Sequence, residues 1–446
     1  MLAKEYRTNE WDEARLIASE DQIPIYFSQK RTARTNQLRL LSLFSGCGGM
    51  DIGFEGGFIA PRKSFGEKSK YVERIINDDW VLLRKNRFNT VFANDILPEA
   101  EVGWTTFMSR YQHDVNIYRR ISLVDLVKMH NQGAEVFPKN IDVVTGGFPC
   151  QDFSVAGKRK GFESQKDHEG KFRAEDVPSE ESRGKLYFWM KQVIDITRPK
   201  VFVAENVKGL ISLGDAKNII QHDFASADGN GYIVLNPQVL HAGNYGVPET
   251  RERVIFIGIR IDALLPEALD ALRLSHVPEK YNPYPKPTHN CTIDDASLLP
   301  IVTTRDVLGN LPEPNESTDL AQTQYSKAKF LNHGQGQTEI KLDGLGPTIR
   351  SEHHGNIEFR RLSKEHGGKY LDELGKGKVE RRLTPRECAL IQTFPPDYQF
   401  VIRGKEPAYR LSSSGAYKII GNAVPPVLAF HIAKRLEEVW PLYFGE

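Results

Sequence analysis

One feature constrains this chain more than any other: an apolar strand that runs without a break into a glycine-rich turn. LRLLSLF (38–44) passes directly into SGCGGMDIGFEGGF. A strand this apolar must be covered on both faces. Glycines in the turn let backbone approach a ligand closely, and the helix that follows offers free N–H groups at its start. More apolar runs follow: TVFAND (90–95), IDVVTGG (141–147), VFVAENV (201–207), YIVLNPQVL (232–240) and RVIFIGIR (253–260). Amphipathic stretches separate several of them, among them KLYFWMKQVIDIT (185–197) and the segment around 119–130. Buried strands alternating with helices predict a doubly wound α/β fold with a mostly parallel sheet.

The pattern also divides the chain. Residues 1–36 form a polar N-terminal extension, helical in part. A first domain is expected over 37–264, interrupted at 61–89 by a charged insertion with helical content. Beyond about 262 the composition shifts to Pro, Gly, His and Asn with short apolar runs, which predicts a smaller domain of irregular strands and loops over 265–407. The apolar pattern returns in YKIIGNAVPPVLAFHIAKRLEEVW (417–440). It reads as a tight turn and then a helix, with Pro425 and Pro426 near its start, where proline is tolerated. That helix should pack back on the first domain, so that 408–446 completes it.

With 446 residues, 40% of them hydrophobic, a large core is affordable. A net charge of +1 gives no hint of a nucleic-acid partner, which local basic clusters would have to hold. The four cysteines, Cys47, Cys150, Cys291 and Cys388, are far apart and form no CxxC pair. They read as reduced thiols rather than a disulfide or zinc framework. The first residues lack an apolar core, so no signal peptide is expected, and no apolar run is long enough to span a bilayer. The expectation is a soluble, cytoplasmic protein.

Several strand ends carry chemistry. FSGCGG (44–49) could cradle any nucleotide-like ligand or simply be a tight turn. Asp95 ends the next strand, where a carboxylate can accept two ribose hydroxyls or equally well cap a helix. GGFPCQDFSVAGKRKGF (146–162) places Cys150 after a proline at the ligand-binding edge of the sheet. A free thiol with a pKa of roughly 8.5 needs help to ionise. A buried structural cysteine is the bland alternative, but the long polar loop that follows, with Lys158, Arg159 and Lys160, suggests closure over an anionic substrate. Glu205 in AENVKGL should sit at the same edge, where a protonated carboxyl could hydrogen-bond a ring nitrogen, or could merely cap a helix. Arg251 and Arg253 alternate on entering the last strand and should share a face.

Taken in order, LSLFSGCGGMDIGF, VFAND, GGFPCQDFSVAGKRKGF, SRGKLYF, VFVAENVKGL, YGVPETRERVIFIG, RRLTPRECALIQTFP and IGNAVPP resemble the cytosine-5 DNA methyltransferase family. The resemblance runs from about residue 39 to 435. It implies that Phe44, Gly46, Cys47, Gly48 and Gly49 form the S-adenosylmethionine loop, with Asp95 on the ribose. Pro149 and Cys150 correspond to the catalytic dipeptide, Leu186 to a wall of the cofactor pocket, and Asn422 and Val424 to its C-terminal side. Glu205 corresponds to the carboxyl on cytosine N3 and the exocyclic amine, and Arg253 to the side chain on O2, supported by Arg251. Cys150 would attack carbon 6 of a cytosine rotated out of the duplex. Gln151, Ser154, Lys158 and Arg159 of the loop, and Thr348 and Arg350 of LGPTIRSEHHGNIEFRRL (345–362), would contact DNA. Residues 265–407 become the target-recognition domain.

Two positions depart from the family pattern. Glu249 replaces a usual glutamine. The Asp-Ile pair that contacts adenine is matched best by NIYRRI (116–121), which assigns Asn116 to the cofactor. His353 and His354 complete no metal set, so no metal is expected.

The implied partners are double-stranded DNA and a cognate restriction endonuclease acting on the same site; the enzyme itself is expected to be a monomer. Three readings compete. A tRNA substrate keeps the chemistry, but the long, varied insert favours sequence reading on DNA. A dinucleotide-dependent oxidoreductase leaves PCQ, ENV and R-x-R unexplained. A DNA-binding regulator with a dead catalytic domain conflicts with the intact Cys150 and Glu205.

Overall fold

The computed structural model describes residues 37–66, 69–111, 113–149, 186–327, 338–351, 358–404 and 409–446. The described part begins with β1 (Leu38–Leu43), then forms a small antiparallel sheet of β2 (Ile59–Pro61), β3 (Val72–Ile75) and β4 (Trp80–Leu83). It returns through β5 (Phe88–Asn94), β6 (Tyr118–Arg119), β7 (Val143–Gly147), β8 (Val201–Val207), β9 (Tyr232–Val234), β10 (Gln238–His241) and β11 (Glu252–Arg260). These build one sheet of eight strands, ordered β10-β11-β8-β7-β1-β5-β6, with β9 also on β11. From β6 to β8 every pairing is parallel, and β11 runs antiparallel to β8. The fold is therefore the doubly wound, mostly parallel sheet that the apolar runs predict.

Alternation along β1 sorts its side chains between the two cores. Leu38 and Leu40 join one hydrophobic cluster, and Leu41 and Leu43 join the other. On the second face lie the helices Leu123–Asn131, Leu186–Thr197 and Ala216–Ala225, through residues such as Val127, Val193 and Ile220. On the first face the helix Gly49–Glu55 meets the C-terminal helix Pro426–Phe444. A Cβ on Gly53 would come within 2.4 Å of Ala429 Cβ, so glycine is what permits this contact. The last helix does pack back on the first half of the chain, with Pro426 in its first turn.

The 61–89 segment is a correction. It holds β3, β4 and a single 3-10 turn, Arg62–Ser64, rather than α-helix. Two of its charges, Glu73 and Arg74, lie exposed beside Ile75 on the outer strand, while β4 buries Trp80, Val81 and Leu83. A half-buried hairpin mixed with charge reads like an amphipathic helix when the period is obscured.

Beyond β11 the elements shorten, as the composition predicts. Helices Pro266–Leu272, Thr304–Leu308 and Pro385–Ile391 alternate with loops, and among the described residues the strands here are β12 (Phe359–Arg361) and β13 (Arg381–Arg382). Val302, Ile349, Leu383 and Ile391 nevertheless share a core with Leu40 and Ile420. Among the described residues no helix is long and apolar enough to cross a membrane. Residues 1–36 lie outside the description.

Candidate active site

A cleft of about 1180 Å³ opens where β1, β5, β7 and β8 end. This is the edge at which ligands bind in sheets of this kind, beside the strand where the winding reverses. Its lining gathers residues from across the sequence: Phe44 and Gly46, Asp95, Pro149, Leu186, Glu205, Arg253, Thr348 and Arg350, and Asn422 and Val424.

At one end the β1 turn forms a cradle. Phe44 adopts φ 51 and Gly46 φ 53. Left-handed backbone at a phenylalanine is strained and persists only where its surroundings enforce it. Here the Ser45 amide donates to Asn94 O (2.7 Å), and Ser45 Oγ donates to Ser42 O (3.0 Å). A Cβ added to Gly46 would meet nothing within 4 Å, so the turn faces open space. Asp95 Oδ2 accepts from the Gly46 amide (3.0 Å) and Oδ1 from the Leu97 amide (3.0 Å). The carboxylate thus ties the loop to β5 and closes a local turn at Leu97, while the helix Pro98–Met108 that follows is capped by Leu97 with no side-chain cap, so Asp95 is not its cap. Burial pushes its acid upward, against the pull of those amides. Ile96, Leu97, Leu123, Leu186 and Val424 supply apolar walls, while Ser122 and Asn422 add polar groups. An open cradle, a carboxylate and apolar walls fit a nucleoside-bearing ligand such as S-adenosylmethionine.

Cys47 and Gly48 lie beneath this surface and do not line the cleft. Cys47 Sγ donates to Ile419 O (3.3 Å), and the thiol is fully buried, which drives its pKa far above the ordinary range. Gly48, at φ 83, begins the helix Gly49–Glu55, and a Cβ there would press on Trp104 Cδ1 at 2.9 Å. Gly49, which does line the cleft, has Val424 O only 2.2 Å from where a Cβ would be. Asn116 stands outside the cleft on an exposed 3-10 turn, donating to Asp114 Oδ1 (2.8 Å). The cleft wall after β6 is formed by Ser122 and Leu123 instead.

At the other end a carboxylate meets a guanidinium. Arg253 Nε lies 2.7 Å from Glu205 Oε1, and both side chains are about nine-tenths buried. Antiparallel pairing brings them together: β11 enters at the edge where β8 leaves, with Arg253 opposite Val207 and Ile255 opposite Glu205. Burial raises the Glu205 acid above the usual carboxylate range, and Arg253, then Arg251, oppose the shift. Gly147 leaves room for Glu205, since a Cβ there would be 2.9 Å from Oε2. Asn206 Nδ2 donates to Phe148 O (3.1 Å), fixing the end of β7 immediately before Pro149. Cys150, Gln151, Ser154, Lys158 and Arg159 lie outside the described residues, as do His353 and His354.

Arg251, immediately before β11, is fully buried, and Arg253, 9% exposed, lines the cleft. Thr348 Oγ1 donates to Thr250 O, joining the segment around Thr348 to the cleft wall. Residues that sequence reasoning passed over also line the cleft, including Ile96 and Lys208, the latter ion-paired to Glu252 at 2.8 Å. Both adjoin motifs that were read, so position alone could have flagged them. Among the described residues no cluster of ligating side chains could hold a metal.

Sheet order and cleft together define the S-adenosylmethionine-dependent methyltransferase class. The narrower identity comes from relatives. A model of the C-5 cytosine-specific DNA methylases matches residues 38–438. The chain is 30% identical to the Type II methyltransferase M.BsuRI of Bacillus subtilis over 98% of its own length and 86% of that protein's. It is also 30% identical to M.BspRI of Lysinibacillus sphaericus, over 91% and 82%. Among solved structures, the Entamoeba histolytica methyltransferase EhMeth superposes with a TM-score of 0.51 at 14% identity, covering 91% of this chain and 99% of its own. That last likeness concerns the fold. The chain belongs to the C-5 cytosine-specific DNA methylase family and is a DNA (cytosine-5) methyltransferase that uses S-adenosylmethionine.

Proposed function

We propose that this enzyme methylates one cytosine within a short, specific duplex site, as the modification half of a restriction-modification pair, and that the cleft residues divide the work as follows. Phe44, Gly46, Gly49, Asp95, Leu186, Asn422 and Val424 hold the methyl donor, with Ile96, Ser122 and Leu123 around it. S-adenosylmethionine supplies an electrophilic methyl group on a sulfonium. Glu205 and Arg253 grip the edge of the flipped pyrimidine. A carboxyl raised by burial can hold a proton against a ring nitrogen, and the guanidinium donates to the adjoining oxygen. Cys150, next to cleft-lining Pro149, supplies the thiolate that adds to carbon 6 and later leaves.

One observation carries this reading: the 2.7 Å Glu205–Arg253 pair and Pro149 share a single cleft with the glycine cradle. Thr348 and Arg350 of the 265–407 half present that cleft to DNA, while 37–264 and 408–446 form the catalytic half. One chain carries every site residue, so a monomer suffices. An enzyme acting on DNA in this way would work in the cytoplasm, beside the chromosome.

Transfer of labelled methyl groups tests the assignment. Cys150→Ser should lower turnover on DNA by at least roughly a thousandfold while donor affinity stays within about threefold. Wild-type turnover in that variant would overturn the mechanism. Transfer to tRNA rather than DNA would overturn the substrate.

A further inference from the structure

Three segments that reach the cleft are knotted together behind it by two side chains that do not line it. Glu249 and Arg251 are both fully buried. Glu249 Oε1 accepts from the Ile349 amide at 2.7 Å and from Arg251 Nη1 at 3.4 Å. Arg251 carries the connection onward. Its Nη1 donates to Ile349 O (3.1 Å), and its Nη2 donates to Gly421 O (2.9 Å) and Ala423 O (2.8 Å). The recognition segment and the C-terminal turn also touch backbone to backbone, because a Cβ on Gly421 would lie 2.3 Å from Arg350 C and Ser351 N. Yet the neighbours of this knot do face the cleft: Thr250 and Arg253, Thr348 and Arg350, Asn422 and Val424.

Stability alone accounts poorly for such a knot. A buried ion pair seldom beats apolar packing of the same size. Glu249 Oε2 has no hydrogen-bond partner among the described residues, which adds to the cost. What the knot does provide is registration. The carbonyls that Arg251 grips flank Asn422, and the peptide groups that Glu249 and Arg251 grip flank Thr348 and Arg350. Ordering one end fixes the guanidinium fork, and so removes part of the cost of ordering the other.

We propose that Glu249 is a positioning residue which, through Arg251, couples the donor-binding turn to the recognition segment, so that methyl-donor binding and DNA binding strengthen one another. The inference rests on the proposed assignment of Asn422–Val424 to the donor and Thr348–Arg350 to DNA. Coupling of this kind is reciprocal. Burial pushes the Glu249 carboxyl upward against Arg251, so a neutral acceptor of the same shape should serve nearly as well.

Calorimetric titration of the full chain with S-adenosylhomocysteine, alone and with saturating plasmid DNA, reads the coupling directly. The wild-type protein should bind about tenfold more tightly in the presence of DNA. In Glu249→Ala that ratio should fall toward one, while affinity without DNA moves by less than about threefold, and Glu249→Gln should restore most of the ratio. A wild-type ratio in a folded Glu249→Ala protein would overturn the proposal. Should that variant not fold, Arg251→Lys decides: it keeps the charge but loses the fork, and an unchanged ratio in it is equally fatal. Wild-type protein that binds neither ligand would instead refute the site assignment, whereas binding of both without coupling would refute this inference alone.

Discussion

The two halves of the molecule bury opposite kinds of side chain in their strands. In the main sheet, β8 buries Val201, Phe202, Val203 and Ala204 with no measurable exposure, and neighbouring strands do the same. In the smaller half, β12 and β13 consist of Phe359 and four arginines, and Arg360, Arg361, Arg381 and Arg382 are all at most 6% exposed. Three carboxylates answer three of them. Glu313 receives both Nη groups of Arg361 (2.9 and 2.7 Å) and Nε of Arg381 (3.0 Å). Glu373 takes Arg360 in a two-point contact (2.9 and 2.6 Å), and Glu387 takes Arg381 likewise (2.7 and 2.8 Å). Arg382 lies over the Phe359 ring, 5.0 Å from its centroid. Apolar burial holds the first half whatever the ionic conditions. The second half depends on geometry between charges, which fixes a particular arrangement at little net gain.

Truncating the apolar side tests the contrast most severely. Phe202 packs on Phe224 and Tyr232 at centroid distances of 5.0 and 5.5 Å and covers Gly258, whose added Cβ would fall 2.0 Å from the ring. Phe202→Ala should cost about 4 kcal/mol of unfolding free energy. Denaturant titrations at low and high salt should give the same loss. A loss that shrinks with salt would break the distinction.

Removing a charge from the other half should cost somewhat less and behave differently. Glu313→Gln leaves Arg361 and Arg381 with weaker acceptors, and the loss should be about 3 kcal/mol. Those arginines hold Glu313 down at about 2, although its own burial works the other way. A carboxyl depressed in the folded state stabilises fully above its unfolded value of 4.5, and that contribution disappears as pH falls toward about 2. Acid titration of the wild type should therefore loosen 313–387 in that window, and hydrogen exchange of those amides should report it. In Glu313→Gln this component of the acid response should be missing.

The same contrast explains what the sequence discloses. Strand positions in the first half follow from apolar runs, since nothing but burial explains VVTGG or VFVAEN. The edge holding Glu205 follows as well, because strand direction fixes which ends share a cleft. The buried arginines of FRRL and ERRL do not read this way. A charged pair looks solvated until its partners are known, and Glu313 lies 48 and 68 residues from Arg361 and Arg381. Arg251 and Arg253 are legible as a pair entering a strand, but the burial of Arg251 is not, because the carbonyls it binds, those of Gly421 and Ala423, lie 170 and 172 residues away. Cys47 belongs to the glycine-rich turn at the cleft, yet its thiol turns inward against Ile419. Period and motif specify backbone; the direction of one side chain depends on contacts made hundreds of residues away.

The smallest effect should come from a charge placed inside the apolar half. Asp51 is fully buried beneath the glycine cradle, its Oδ2 accepting from Trp104 Nε1 at 2.6 Å. Burial drives its acid up to about 6, against hydrogen bonds from Ser42 and Trp104. The sign is opposite to that of Glu313. Between 3.8 and about 6 the folded protein keeps a proton that the unfolded chain releases, so this carboxyl lowers stability as pH rises through that window. Asp51→Asn retains an acceptor for the indole. At pH 5 it should change unfolding free energy by less than about 1 kcal/mol. Between pH 5 and 8 its stability should decline less than that of the wild type. If Asp51→Asn is instead destabilised more at pH 8 than at pH 5, the buried carboxylate is stabilising after all, and the apolar half depends on charge much as the arginine-rich half does.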